Sequence, residues 1–321
     1  MKKILAIILT SLCVNAVYAA SPASKALIQH RVELNDHAFA VYEKRAEKTE
    51  DVLVLIHGRT ISALPNFDLQ LESKNISFMD AFVARGFTVY AIDLRGFGNT
   101  PRDKTGWNTP EKAAGDVAKL LEWVAARHPK KNKLSLFGYS LGSLHSQLIV
   151  QKNPELVSEV ILFGYPISSL NNINQDAIRA DRALVDPPRK SNSVEWSSDG
   201  FMTGQTPKAV IDAYVSACLK HDPVLVDWKR IDQWQQLDPK KINTPTLLIN
   251  GVHDPYAPVD QLAPFFSRIK SPDKAWIVIS KSGHNVHIEN EAARLVNGVV
   301  NFIRRNRWTQ NGCDDPKSHS R

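Results

Sequence analysis

Cysteine is scarce: the 321 residues hold three, Cys13, Cys218 and Cys313. His253, His284 and His287 match no zinc-ligand spacing, and no other His, Asp or Cys cluster does, so neither a metal nor a cofactor is expected. Basic residues never gather into a long Lys/Arg block although the formal net charge is +7, and nucleic acid is therefore not implied as a partner. No apolar run reaches the ~20 residues that a membrane-spanning helix needs. What remains is an ordinary globular composition, 43% hydrophobic and 23% charged. It is long enough for one large α/β domain or two small ones.

The first residues have an export layout. Met1-Lys2-Lys3 is basic, Ile4 to Val14 is apolar, and Asn15 to Ala20 ends in small residues. Val17 and Ala19 occupy the −3 and −1 positions of a cleavage site, so residues 1–19 are expected to be removed and the mature chain to reach the periplasm or be secreted, with no integral membrane segment. Leu12 before Cys13 does not fit a lipoprotein signal, where a small residue ordinarily stands. Losing Lys2 and Lys3 takes the formal charge from +7 to +5. Cys13 leaves as well, and in an oxidising compartment Cys218 and Cys313 can bridge if their Cα atoms approach closely enough.

The chain is organised around Lys133 to Leu144. An apolar run ends in Gly138-Tyr139-Ser140-Leu141-Gly142 and passes at once into a helical pattern carried by Leu141, Leu144, Leu148 and Ile149. Gly-x-Ser-x-Gly between strand and helix is the context of a nucleophile elbow, in which the serine is held in strained geometry and a Cβ on either glycine would strike a neighbouring element. Around it, a hairpin is expected over 26–42 with Asn35-Asp36 at its turn, and buried strands at Val52–Ile56, Thr88–Ile92, Val157–Gly164, Thr246–Gly251 and Ala275–Ile279. Helices are expected at Met79–Arg85, from Pro110 onward, and at Glu289–Arg304. Strands alternating with helices at this spacing imply a mostly parallel, doubly wound sheet. Residues 167–240 break the pattern: they are rich in Asn, Asp, Gln and Trp, contain Pro187-Pro188, and show helical patches at Pro207–Leu219 and Pro223–Trp234.

Two further motifs follow buried strands, His57-Gly58-Arg59 and Asp93-Leu94-Arg95-Gly96-Phe97-Gly98. With the elbow they resemble α/β-hydrolases of the serine esterase and serine aminopeptidase branch. The resemblance implies an α/β-hydrolase core over 20–166 and 241–310, a helical cap or lid over 167–240 and a tail at 311–321. It also implies a catalytic triad in the chain order Ser140, Asp254, His284, with acid and histidine each in a loop just past a strand. Ser140 is a poor nucleophile at its free pKa and needs His284 as general base, while Asp254 fixes the imidazole tautomer. The oxyanion would lie between the backbone N–H groups of Arg59 and Leu141.

Other residues compete for these roles. His287 is three residues past the expected histidine and reads as a helix-start or supporting residue, His253 as a solvent-facing loop residue, and His57 as a loop histidine bonded to backbone. Asp260 and Asp176 are fallback acids, and Asp93 and Arg95 read as loop braces. Trp196, Phe201, Met202, Tyr214, Trp228 and Trp234 either line an acyl pocket or form the cap's own core. The leading expectation is an exported serine hydrolase acting on a small-molecule ester or acyl substrate. The alternative is a serine aminopeptidase or amidase, which would use a carboxylate cluster for the substrate amine from Asp212, Asp222, Asp227 and Asp232. A non-catalytic binding protein of the same fold is the third reading.

Overall fold

A computed structural model describes residues 26–48, 51–71, 74–130, 134–202 and 204–305. The expected signal at 1–19, Cys313 and the tail at 311–321 lie outside the described residues. Asn35 and Asp36 both take positive φ, 50° and 55°, the left-handed pair that closes a two-residue hairpin with the correct twist. The hairpin joins β1 (Ile28–Leu34) to β2 (His37–Lys44).

Six more strands complete the main sheet: β3 (Asp51–Ile56), β4 (Phe87–Ile92), β5 (Leu134–Tyr139), β6 (Val157–Phe163), β7 (Thr246–Gly251) and β8 (Lys274–Ile279). Their order is β1-β2-β4-β3-β5-β6-β7-β8. The β1–β2 and β2–β4 pairs are antiparallel and the rest parallel. Every residue of β3, β4, β5 and β7 is buried, which is why these strands read as unbroken apolar runs instead of alternating ones.

Helices cover both faces of the sheet. On one lie α3 (Pro110–Arg127), α4 (Leu141–Lys152) and α9 (Val259–Arg268); on the other α1 (Ala63–Phe67), α2 (Phe78–Val83) and α10 (Ala292–Arg304). Thr109 caps α3, its hydroxyl accepting from the Lys112 amide, and Pro110 fills the first turn where its missing N–H costs nothing. Helix α10 buries Leu295, Val296, Val299 and Phe302 along one stripe, worth roughly 6–12 kcal/mol of gross burial. It begins at Ala292 and not at Glu289, because the Glu289 carboxylate is taken by the Gly283 and Met202 amides at 2.9 and 3.1 Å.

Between β6 and β7 the chain leaves the sheet. Helices α5 (Ile167–Asn171), α6 (Gln175–Ala183), α7 (Val194–Ser198) and α8 (Lys208–His221) lie there. The helix expected over Pro223–Trp234 is absent. Asp227–Trp228 instead pairs in parallel with Trp107–Asn108, and Ile231–Gln236 forms a 3₁₀ turn. The reason is local: Arg230 takes a left-handed φ of 63°, and the Asp181 carboxylate captures the Arg230 and Ile231 amides at 2.8 and 3.3 Å, so no helical ladder can pass through them. Cys218 is buried on α8 against Ile61, Leu69, Tyr214 and Ile288, and burial pushes its thiol pKa up. Among the described residues no helix is long and apolar enough to cross a membrane.

Candidate active site

Ser140 ends β5 and opens α4 with φ 52° and ψ −121°. A non-glycine residue there stores roughly 1–3 kcal/mol of strain, held only because both flanking elements over-determine it. The Ser140 amide donates to Phe163 O on the neighbouring strand at 2.9 Å. A Cβ on Gly138 would collide with the Gly142 carbonyl and the Ser146 hydroxyl; one on Gly142 would collide with the Ile56 and His57 carbonyls. The elbow thus needs both glycines for close approach, and its serine projects at the carboxyl end of the parallel strands, where open α/β sheets bind ligands.

Asp254 lies just past β7 and His284 just past β8, on adjacent strands. His284 Nδ1 and Asp254 Oδ2 are 2.8 Å apart, with both residues buried. The other carboxylate oxygen, Oδ1, accepts from the Tyr256 and Ala257 amides at 2.9 and 3.2 Å, which fixes the acid. The imidazole sits between the rings of Tyr139 and Tyr256, with centroids 5.0 and 4.8 Å away. Gly164, at the end of β6, passes behind the pair with φ 56°, and a Cβ there would lie 3.0 Å from His284 Cε1 and 3.3 Å from Asp254 Oδ2. Only glycine meets both the φ and the contact without cost.

The His57-Gly58-Arg59 loop lies against the serine: a Cβ on Gly58 would come 3.2 Å from Ser140 Cβ. His57 is buried, its Nε2 accepting from the Leu94 amide at 3.1 Å and its Nδ1 2.8 Å from Gly58 O. Desolvation drives its pKa down to about 4, so it is a neutral brace between two loops. Arg59 and Leu141 both line the cleft at Ser140, and Leu141 is the first residue of α4, where free amides and the positive helix end favour negative charge. Behind the loop, buried Asp93 accepts from the Ala63 amide, the Asn99 amide and the Tyr42 hydroxyl at 2.8, 2.9 and 2.7 Å. Arg95 forks onto Asp116 at 2.6 and 2.9 Å.

The cleft has a volume of about 680 Å³ and is walled in part by Leu141, Leu144, Trp196, Tyr214, Trp228 and Trp234. Phe201 packs on Tyr214 instead of lining it. The competing residues lie elsewhere. His253 and Asp260 are exposed, Asp260 in the first turn of α9, and Asp176 pairs with Arg179 on the exposed face of α6. His287 is enclosed by the rings of Phe67, Phe78, Tyr139 and Phe163. Neither of its nitrogens has a partner among the described residues, and burial drives its pKa down to about 3. The four cap carboxylates do not converge: Asp212 pairs with Lys208, Asp227 with Arg102 and Asp232 with Arg230, while Asp222 accepts from Ser62 and Gly98.

Sequence reading did not single out Gly164, Gly200 or Glu289 for the site. His284 N donates to Gly200 O at 2.8 Å, and Glu289 ties the Gly283 amide beside His284 to the Met202 amide. Gly164 carried a local signal, a glycine at the end of a buried strand. The other two pairings join residues more than eighty positions apart and had none.

Residues 48–291 match the family described as serine aminopeptidase, S33. The 2-hydroxy-6-oxo-6-(2'-aminophenyl)hexa-2,4-dienoic acid hydrolase of Metapseudomonas resinovorans is 24% identical over 270 residues, 79% of this chain and 84% of that protein. Pyrrolizixenacetamide deacetylase of Xenorhabdus hominickii is 26% identical over 256 residues, 74% of this chain and 85% of that protein. Among solved structures, the monoacylglycerol lipase of Paleococcus ferrophilus shares the fold with a TM-score of 0.64 at 19% identity, over 82% of this chain and 98% of that one. A family match of that span, on this sheet order, makes the chain a hydrolase of the α/β-hydrolase fold and a member of the serine aminopeptidase S33 family.

Proposed function

We propose that the protein is an exported serine hydrolase that cleaves small carboxylic esters through an acyl-enzyme on Ser140. The observation that carries the reading is the strained Ser140 turn opening on the same cleft as His284, whose Nδ1 is 2.8 Å from a fixed Asp254 carboxylate. Ser140 Oγ attacks the ester carbonyl and gives its proton to His284 Nε2. Asp254 accepts from Nδ1–H throughout, holding the tautomer and stabilising the imidazolium. The tetrahedral oxyanion is met by the Arg59 and Leu141 N–H groups, each such donor being worth about 3–4 kcal/mol. The departing alkoxide takes the proton back from His284, and water repeats the sequence on the acyl-enzyme. The segment at 1–19 directs the chain to the periplasm or outside the cell.

Cleavage of amides is the second reading, favoured by the family's description and by the deacetylase relative. Against its aminopeptidase form stands the engagement of Asp212, Asp222, Asp227 and Asp232 with other partners, which leaves none of the four to hold a substrate ammonium. A panel of p-nitrophenyl esters from acetyl to palmitoyl beside aminoacyl anilides separates the two, with a fluorophosphonate probe reporting the nucleophile. Ester turnover with probe on Ser140, both lost in Ser140→Ala, is expected. Anilide turnover without ester turnover transfers the reading to the peptidase, and a wild-type Ser140 that resists the probe removes the catalytic reading.

A further inference from the structure

The cleft contains a cation without a counterion. Arg59 lines it beside Ser140, and among the described residues its guanidinium has no ion pair or hydrogen bond. Other cations among the described residues are paired with carboxylates: Lys44 with Asp68 and Asp80, Arg95 with Asp116, Arg102 with Asp227, Arg304 with Asp51. Solvent reaches the Arg59 side chain, yet desolvation by the surrounding protein lowers its pKa against a smaller opposing effect of the nearby Tyr256 phenol. The side chain thus stands on the solvent-reached side of the cleft lining, with its charge near Tyr256, whose ring packs on His284 with centroids 4.8 Å apart.

The carboxylates that share the cleft are committed. Asp181 accepts from the Arg230 and Ile231 amides, Asp227 from Arg102 at 3.0 Å and the Arg189 amide at 3.2 Å, and Asp199 from the Tyr256 hydroxyl. Lys190, also on the wall, is a second cation with no ion pair among the described residues. A guanidinium keeps its charge when dehydrated and presents a planar fork that fits a carboxylate bidentately. Unpaired on the lining of the cleft beside Ser140, it is a charge that an anionic ligand can pair.

We infer that the Arg59 side chain is an anion receptor that sets substrate choice, selecting esters whose acyl chain or leaving group carries a carboxylate close to the scissile bond. The inference rests on the ester-hydrolase reading of Ser140. One residue then serves two ends of the substrate, its backbone N–H the oxyanion and its side chain the remote charge. Because the receptor springs from the oxyanion loop, the carboxylate must lie within one arginine side-chain length of the reacting carbonyl. Short half-esters of dicarboxylic acids meet that condition, and long-chain fatty esters do not.

The test uses three substrates of equal acyl length and different charge: monoethyl adipate, ethyl hexanoate and ethyl 6-aminohexanoate, followed by pH-stat. The wild-type protein is expected to favour the adipate. In Arg59→Gln the ratio of kcat/KM for adipate over hexanoate should fall about tenfold to a hundredfold, the worth of a charge-assisted pair; taking the ratio cancels any loss common to both esters. Arg59→Lys should retain part of the ratio, and Arg59→Glu should move preference toward the amino ester. An unchanged ratio in Arg59→Gln overturns the inference. If the wild type cleaves none of the three and Ser140 resists a fluorophosphonate, the ester reading is what fails. The receptor is then read separately, by calorimetry of adipate on Ser140→Ala with and without Arg59→Gln: weaker binding in the double variant supports it, equal binding overturns it.

Discussion

Asp222, at the C-terminal end of α8, grips Ser62 by both of its polar groups: Asp222 Oδ2 accepts from the Ser62 amide at 2.8 Å and from its hydroxyl at 2.7 Å. Its Oδ1 accepts from the Gly98 amide at 2.9 Å. Ser62 ends the loop that carries Arg59, and Gly98 ends the loop that follows Asp93. A single buried carboxylate from the segment between β6 and β7 thus holds two core loops in place. Tyr214 of the same helix adds a bond from its hydroxyl to Asn66 Oδ1 at 2.9 Å, and Asn66 in turn donates to Ile61 O and Ser62 O.

Removing that carboxylate strands three donors, each costing about 1–3 kcal/mol when buried without a partner. Asp222→Ala should therefore lower Tm and, by releasing the loop that carries Arg59, the proposed oxyanion donor, lower kcat about tenfold or more while KM changes little, the pattern of an interaction made in the transition state. Asp222→Asn, which keeps one acceptor oxygen, should recover part of the kcat. A variant that loses Tm but keeps the wild-type kcat at a temperature where it is folded would show that the grip serves stability alone.

The acid of the proposed triad can be separated from its neighbour in sequence. Asp254→Asn should leave folding largely intact and cut kcat roughly 10⁴-fold by favouring the wrong imidazole tautomer. Asp260→Asn, in the exposed first turn of α9, should cost less than about tenfold. Paired kcat and Tm measurements decide the matter, and the reverse ranking would move the role to Asp260.

His287 offers a pH test. Its aromatic cage drives its pKa down to about 3, so the folded state stays unprotonated where the unfolded chain takes up a proton. The histidine's contribution is complete above pH about 6.5 and is lost progressively as pH falls toward 3, by about 1.4 kcal/mol per pH unit. Phenylalanine keeps a ring in the same cage, forfeits no hydrogen bond and does not titrate. The Tm advantage of His287→Phe over wild type should widen by about 2–4 °C for each pH unit below 6. A difference that stays constant from pH 7 to pH 4.5 rejects the buried neutral imidazole.

Export is checked most directly on the mature protein. Expression with its own first residues should yield an N-terminus at Ala20, with Ser21 as the alternative, after the compact residues Val17 and Ala19. Edman sequencing or intact mass that still shows Met1 on protein recovered outside the cytoplasm argues against a cleaved signal.

Most of the sheet was legible because strands buried on both faces have little freedom in composition: Val52–Ile56 is apolar throughout and Thr88–Ile92 is β-branched, aromatic or small, and the structure buries all of them. The elbow was legible because close packing admits only glycine at positions 138 and 142. The segment after Pro223 was misread as a helix because its apolar spacing, set by Trp228, Ile231 and Trp234, suits any chain that docks one side on a core. What breaks the helix is Asp181, some fifty residues away. The contacts of His284 with Gly200, and of Glu289 with Met202, were invisible for the same reason: the partners meet only after the sheet has brought β8 beneath the inserted segment. Asp222 was visible as a carboxylate but not as a loop clamp, since nothing local distinguishes it from Asp212, which pairs with Lys208 on the surface.

The bond from His284 N to Gly200 O, with the Glu289 bridge beside it, bears on how this enzyme could be rebuilt. A segment inserted between two strands of the core invites treatment as an exchangeable accessory, transplanted to bring a new specificity. Here the exchange would take away the carbonyl that receives the His284 amide and the Met202 amide that Glu289 holds, together with the Asp222 grip on Ser62. A graft at 167–240 would arrive without the backbone that keeps the histidine loop and the serine-side loop in register. A graft that retains Gly200, Met202 and Asp222 in their present settings leaves α6 and α7 as the parts open to redesign.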